Sequence, residues 1–245
     1  MSFGVILAAI SLQLSTQDGP VGEALEALEA PETLRAAFTV RLESDWAERV
    51  YSFDPRLPEA ERWQVVSGEG DDDDLDRIAA AWGGAEAPDQ RLFLRSLAGG
   101  VGKQVDVSDL GKAWRMQFDH IPRAMTYGVL DAEPTTPIEA ELWLKPGMRR
   151  FMRFDFSLPQ PVTTPDGVRL EEFRQSYLLE TEPVWGLSYV SSIAVSLEAE
   201  GRYREVDHDY TAQIVSIEFF FTSPEAEALF EVQRQSDTGA SIAAR

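Results

Sequence analysis

The chain of 245 residues contains no cysteine and only two histidines. Without cysteine there can be no disulfide framework, zinc–thiolate site, thiol nucleophile or cysteine-linked lipid anchor. The signatures G-x-S-x-G, H-E-x-x-H and G-x-G-x-x-G are missing as well. A carboxylate pair of the glycosidase type stays open among 42 acidic residues, although none of them stands out. We therefore expect a protein that is not an enzyme and that uses no cofactor and no metal.

Basic residues are scarce, with 22 against 42 acidic ones and a formal net charge of −20. A surface this negative repels phosphate backbones and anionic lipid headgroups. The composition therefore argues against nucleic-acid binding and electrostatic membrane docking, and it is compatible with a cationic partner.

Long apolar runs are absent apart from Phe3–Leu14, which is too short to span a bilayer. A short apolar run followed by polar residues is typical of a secretory signal. We predict that residues 1–19 are this signal and that the protein is periplasmic or secreted. The alternative is an N-terminal strand or helix packed on the domain. Residues 20–235 are expected to form a single β-rich domain, followed by a flexible tail at residues 236–245.

The stretch Glu139–Leu158 predicts a β-hairpin, because apolar and polar residues alternate on both sides of Pro146-Gly147. In the second strand the alternation places Met152 and Phe154 on the buried face and Phe151 on the other. A Pro-Gly pair is typical of a type II turn, with glycine at the position of positive φ.

Similar alternation predicts further strands, and helical spacing predicts three short helices. The fold class that follows is α+β, mainly β: a curved antiparallel sheet, or half-barrel, with short helices covering its concave face. The expected strands are Leu34–Leu42, Trp46–Phe53, Arg62–Ser67, Lys112–His120, Val168–Glu180, Trp185–Leu197 and Arg202–Phe221. The expected helices are Glu23–Pro31, Asp73–Trp82 and Glu225–Gln233.

Three short motifs hint at ligand chemistry, and each has a plainer interpretation. Asp71–Asp74 lacks the spacing of a calcium loop and fits the first turn of a helix. Ala98–Lys103 looks like a phosphate-binding loop, but Gln104 stands where Ser or Thr is needed, so a glycine-rich turn is favoured. His208 lies between two aspartates that would point to the opposite face of a strand, which favours a solvated edge over a metal pair.

Two stretches carry a resemblance: Leu34–Thr39, and Glu141–Gly147 running on to Arg150-Phe151. They resemble the lipoprotein-carrier fold of bacterial envelopes, the LolA/LolB-like proteins. Phe53–Arg56 and Arg62-Trp63 look like a signature of uncharacterised bacterial envelope proteins. The resemblance implies an open half-barrel whose concave apolar face is covered by short helices and can hold acyl chains.

Two functions follow from these observations. The first is a non-catalytic periplasmic protein that shelters an apolar small molecule, a lipid or a lipoprotein acyl chain. The second is an interaction module with a filled core, whose acidic surface meets a basic partner. For the first function, parity along the strands predicts an apolar lining that consists of Leu34, Phe38, Trp114, Phe118, Leu142, Met152 and Phe154.

Overall fold

A computed structural model describes most of the predicted domain. The described residues are 23–25, 27–28, 30–82, 92–93, 104–118, 138–145, 147–163, 167, 169–200 and 205–243. The predicted signal at residues 1–19 and the glycine-rich stretch Ala98–Lys103 lie outside these residues.

The described residues form eleven strands in one antiparallel sheet that is not closed into a barrel. The strands are β1 Leu34–Ser44, β2 Ala47–Phe53, β3 Trp63–Gly70, β4 Gln104–Asp109, β5 Trp114–Phe118, β6 Glu139–Lys145, β7 Arg150–Ser157, β8 Val162–Thr163, β9 Arg169–Thr181, β10 Ser188–Glu200 and β11 Glu205–Phe221. The sheet order is β3-β2-β1-β11-β10-β9-β7-β6-β5-β4, and β8 pairs with β9 outside this path. The last long strand, β11, lies between β1 and β10 and so joins the N-terminal strands to the rest of the sheet.

Among the described residues, 23–25 are helical, α1 spans Asp73–Trp82, α2 spans Pro224–Ala243, and a 3₁₀ turn spans Glu59–Glu61. The predicted fold class, mainly β with an open half-barrel-like sheet, is confirmed. Within the described ranges no helix combines the length and the apolar content needed to cross a membrane.

The sheet has one apolar face, and β1 shows why. Its residues alternate strictly between buried and half-buried positions from Leu34 to Leu42. Neighbouring strands contribute the matching side chains, so that Phe38 lies beside Ile217 of β11 and Phe53 of β2. The phenyl rings of Phe38 and Phe53 have centroids 5.3 Å apart. Period-2 patterning therefore builds a continuous core on one side and leaves a polar face on the other.

The β6–β7 hairpin is present, but its register differs from strict alternation. Trp143 lies opposite Arg153 and Leu144 lies opposite Phe151, so Met152 is an extra residue in β7. This β-bulge reverses the parity of the strand on one side of it. Met152 is therefore 41% exposed, whereas Phe151 is 2% exposed and belongs to the core. The prediction that placed Met152 on the buried face and Phe151 on the other was wrong.

The hairpin turn also differs from the predicted type II turn. The loop between β6 and β7 has four residues, and the backbone N–H of Met148 donates to the carbonyl of Lys145 at 3.0 Å. Positive φ occurs at Arg149, with a value of 50°, and not at Gly147. The Arg149 guanidinium forms an ion pair with the Glu23 carboxylate, which compensates part of the cost of this conformation.

The acidic run before α1 acts as a helix start, as predicted. The Asp72 carboxylate accepts a hydrogen bond from the backbone N–H of Leu75 at 3.0 Å and another from the Ser44 hydroxyl at 2.6 Å. Asp72 is thus an N-cap that also ties the helix to the end of β1. Leu75 and Ala79 are buried, and α1 packs on β1 and β2.

Helix α2 begins as predicted and ends later. The Ser223 hydroxyl accepts a hydrogen bond from the backbone N–H of Ala226 at 3.2 Å, which identifies Ser223 as the cap. The helix then continues to Ala243, ten residues beyond the predicted end at Gln233, and includes most of the stretch 236–245 that the sequence predicts as a tail.

Candidate functional site

The predicted apolar lining falls into two groups on the same face of the sheet. Leu34 and Phe38 lie on β1, and Leu142 and Phe154 lie opposite each other on β6 and β7. Four strand steps separate β1 from β7 in the sheet order, a span of about 19 Å at the usual strand spacing. The face is thus wide, and its two groups do not converge on one point.

These four residues are only 0–5% exposed. Of the other three, Trp114 is half-buried and Met152 is exposed. The backbone of Phe118 pairs with Ala140, and its side chain lies outside the described part of the structure.

The apolar face is covered by two segments of the chain, one before β1, around Ala27, and one between β3 and β4, around Leu92. The backbone N–H of Ser188 donates to the carbonyl of Ala27 at 2.7 Å, and that of Val190 donates to the carbonyl of Leu92 at 2.8 Å. Buried side chains from the same segments add to the core, and the rings of Phe93 and Phe219 have centroids 5.6 Å apart. The apolar face is therefore packed against the protein's own chain.

One polar pair is enclosed within this core. The Gln175 amide nitrogen donates to the Tyr177 hydroxyl at 2.7 Å, and both side chains are buried. The carboxamide oxygen of Gln175 has no hydrogen-bond partner among the residues that the structure describes. Sequence reasoning missed this pair, although its spacing of two residues puts both side chains on the apolar face of β9.

The opposite face of the sheet carries a groove of about 490 Å³ that crosses β1, β11, β10 and β9. We call it the acidic groove, because its charged residues are three carboxylates and one guanidinium. Those carboxylates are Glu43, Asp45 and Asp209, and within the described residues no arginine or lysine pairs with them. The guanidinium, that of Arg174, pairs with Glu172, which does not line the groove. The groove thus presents uncompensated negative charge.

The acidic groove continues toward one edge of the sheet as a row of glutamates. Glu43 of β1 lies opposite Glu48 of β2, and Glu48 lies opposite Glu69 of β3. Residues directly opposite in adjacent antiparallel strands have Cβ atoms about 5 Å apart, and like charges there are destabilising. Within the described part of the chain, Glu48 is the one carboxylate of this row with a cationic partner, the Arg41 guanidinium at 3.5 Å. Sequence reasoning could not find the row, because it depends on the pairing register.

A second groove, of about 400 Å³, crosses β11, β1, β2 and the start of β3 on the same face. Its lining includes Asp54, Glu61 and Glu218. Arg56 donates to Asp54 at 2.9 Å and to Glu218 at 3.0 Å. These hydrogen bonds lower the pKa of Asp54, with Arg56 as the main cause. Two of its three carboxylates, those of Asp54 and Glu218, are therefore paired with Arg56, unlike the carboxylates of the acidic groove.

No family model, curated protein or solved structure matches the chain. The resemblance to the lipoprotein carriers therefore stays a prediction.

Proposed function

We propose that the protein is a non-catalytic interaction module that binds a basic segment of another protein on the polar face of its sheet. The observation that carries the proposal is the acidic groove, with three carboxylates that no arginine or lysine of the described chain neutralises. Carboxylates that line one groove repel each other, and a cationic partner relieves this repulsion when it binds. The net charge of −20 also attracts such a partner over a longer range.

The filled apolar face supports this choice over the sheltering of an acyl chain. Leu34, Phe38, Leu142 and Phe154 are each at most 5% exposed, so they present no surface to a ligand in this conformation. A lipid-carrier function would require the covering segments around Ala27 and Leu92 to move off the sheet. The acidic groove needs no such movement.

We also propose that the protein acts in the periplasm or is secreted. Support comes from the apolar run Phe3–Leu14 and the polar stretch that follows it. Mass spectrometry of protein from the envelope or secreted fraction tests this. We expect a species that lacks about the first nineteen residues. An intact N-terminus on a cytoplasmic species would contradict the proposal.

Isothermal titration with a short peptide of alternating lysine and valine tests the proposed function, with a glutamate–valine peptide as the control. We expect saturable binding of the basic peptide alone, weakening as the salt concentration rises. The triple variant Glu43→Gln, Asp45→Asn, Asp209→Asn should weaken this binding by about fivefold or more, because it neutralises the groove.

A matched triple variant, Glu139→Gln, Asp106→Asn, Glu231→Gln, removes the same charge from exposed positions outside the groove. We expect it to change the affinity by less than about twofold, since it alters only the long-range field. Equal losses in the two triple variants would show that the groove is not the site. Absence of binding by the unmodified protein would overturn the proposed function.

A further inference from the structure

Strand β3 forms one edge of the sheet and is unusually open. It pairs with β2 on one side, and no other described strand pairs with its outer side. Seven of its eight residues are exposed, and Val65 and Val66 are 67% and 60% exposed. The strand contains no Lys, Arg or Pro, which commonly protect an edge against pairing, and its bulge at Val66 lies beyond the regularly paired residues 63–65. The edge along residues 63–65 is therefore available for an additional strand.

The hydrogen-bond pattern identifies the groups that an additional strand would use. The backbone N–H of Asp54 donates to the carbonyl of Arg62 at 2.9 Å, just before β3 begins. In an antiparallel ladder, hydrogen-bonded and non-hydrogen-bonded pairs alternate. The pairs Phe53–Trp63 and Tyr51–Val65 are therefore non-hydrogen-bonded. The backbone N–H and C=O groups of Trp63 and Val65 consequently point away from β2, toward the open edge.

Charge determines which kind of strand fits this edge. The row Glu43–Glu48–Glu69 crosses three strands and ends on β3. A residue that lies opposite Glu69 on a fourth strand would have its side chain on the same face, at a Cβ–Cβ distance of about 5 Å. A lysine or arginine there would relieve the repulsion within the row. A second copy of the chain would instead bring another net charge of −20 to the edge.

We propose that the outer edge of β3 binds an extended, basic polypeptide segment as an additional β-strand, with a lysine or arginine opposite Glu69. This inference rests on the proposed function and adds a second contact for the same basic segment, at the edge where the glutamate row that begins in the acidic groove ends. The backbone groups of Trp63 and Val65 supply hydrogen bonds, and the glutamate row supplies selectivity for a cationic side chain. The exposed side chains of Val65 and Val66 gain apolar contact with the added strand.

Two variants at one position test the backbone contribution, with the lysine–valine peptide as the probe. Val65→Pro removes the outward N–H at a non-hydrogen-bonded position, so the ladder with β2 stays intact. Val65→Thr keeps the N–H and the β-branched shape. We expect Val65→Pro to lower the affinity by about tenfold or more and Val65→Thr by less than about threefold. Equal affinities of the two variants would overturn the proposed mode.

A second measurement avoids any effect of the proline on folding, because it modifies only the peptide. One peptide carries backbone N-methyl groups on its lysines and the other carries them on its valines. Because the N–H groups of alternate residues point to the same side of an extended strand, each peptide loses the hydrogen-bond donors of one side only. Strand addition predicts that one of them binds as the unmodified peptide does and that the other loses about tenfold or more. Equal binding of both would overturn strand addition while leaving the proposed function in place.

Titrations with the lysine–valine and glutamate–valine peptides also test the role of Glu69. Glu69→Lys should abolish selectivity for the lysine–valine over the glutamate–valine peptide at this edge, because it reverses the charge at the end of the row. If no basic peptide binds the unmodified protein, both the proposed function and the edge site fail. Light scattering that shows a dimer of the unmodified protein and a monomer of Val65→Pro would overturn the basic segment as the occupant.

Discussion

The rings of Phe151 and Phe154 pack against each other with centroids 5.1 Å apart, although the two residues are three positions apart in one strand. Strict alternation would place them on opposite faces of the sheet. The bulge at Met152 brings both rings into the core and turns the methionine outward. The extra residue thus decides which side chains of the hairpin fill the apolar face.

The bulge predicts unequal effects of two neighbouring truncations. Phe151→Ala should lower the free energy of unfolding by about 3–5 kcal/mol, because it opens a cavity in the core. Met152→Ala should change it by less than about 0.5 kcal/mol, as substitutions at exposed positions usually do. Urea unfolding of the two variants measures both values. A larger loss for Met152→Ala than for Phe151→Ala would place the bulge elsewhere.

Gly70 is expected to be intolerant of any side chain. Its φ is +75°, and a Cβ there would lie 2.0 Å from the carbonyl oxygen of Trp46. Gly70→Ala should therefore cost at least about 3 kcal/mol, because the β2–β3 pairing has to shift. Gly111 is the matched control, since its φ is +82° and no atom lies within 4 Å of its Cβ position. Gly111→Ala should cost only the conformational strain of about 1–2 kcal/mol. Thermal unfolding that shows equal losses would contradict the predicted overlap.

Tyr189 provides a test at alkaline pH. Partial burial and a 3.0 Å hydrogen bond to Glu180 raise its pKa from about 10 to about 12. The folded protein therefore keeps the phenol proton more tightly than the unfolded chain does. Tyr189 therefore makes its full contribution to the free energy of unfolding below about pH 10, and this contribution is lost as the pH rises through about 12.

Subtracting the tyrosinate absorbance titration of Tyr189→Phe from that of the unmodified protein isolates this group. We expect one phenol that ionises near pH 12 rather than near 10. A difference curve centred near 10 would mean that Tyr189 is solvated and that its bond to Glu180 does not persist.

The sequence predicts the features that depend on local patterning. Alternation from Leu34 to Leu42 identifies β1 and its buried face, and Asp72 and Ser223 begin helices near the predicted positions. Features that depend on pairing were missed. The bulge at Met152 depends on the register between β7 and β6, and the residues of β7 by themselves show no pattern that predicts it.

The functional residues on the polar face were missed for the same reason. Nothing in the sequence of their own strands distinguishes Glu43, Glu48 and Glu69 from the other acidic residues. They become a row only through the register of β1 with β2 and of β2 with β3. The positive φ at Arg149 likewise depends on a distant partner, Glu23, which no turn propensity could supply.

The protein's own chain fills the apolar face of the sheet, and we propose that binding occurs on the acidic side instead. The most direct test is native mass spectrometry of protein purified without detergent, followed by titration with a fluorescent fatty acid. We predict the mass of the polypeptide alone and no saturable fatty-acid binding, because Leu34, Phe38, Leu142 and Phe154 are buried. A co-purified lipid, together with saturable binding of the fatty acid, would show that the apolar face is not filled and would favour the acyl-chain carrier.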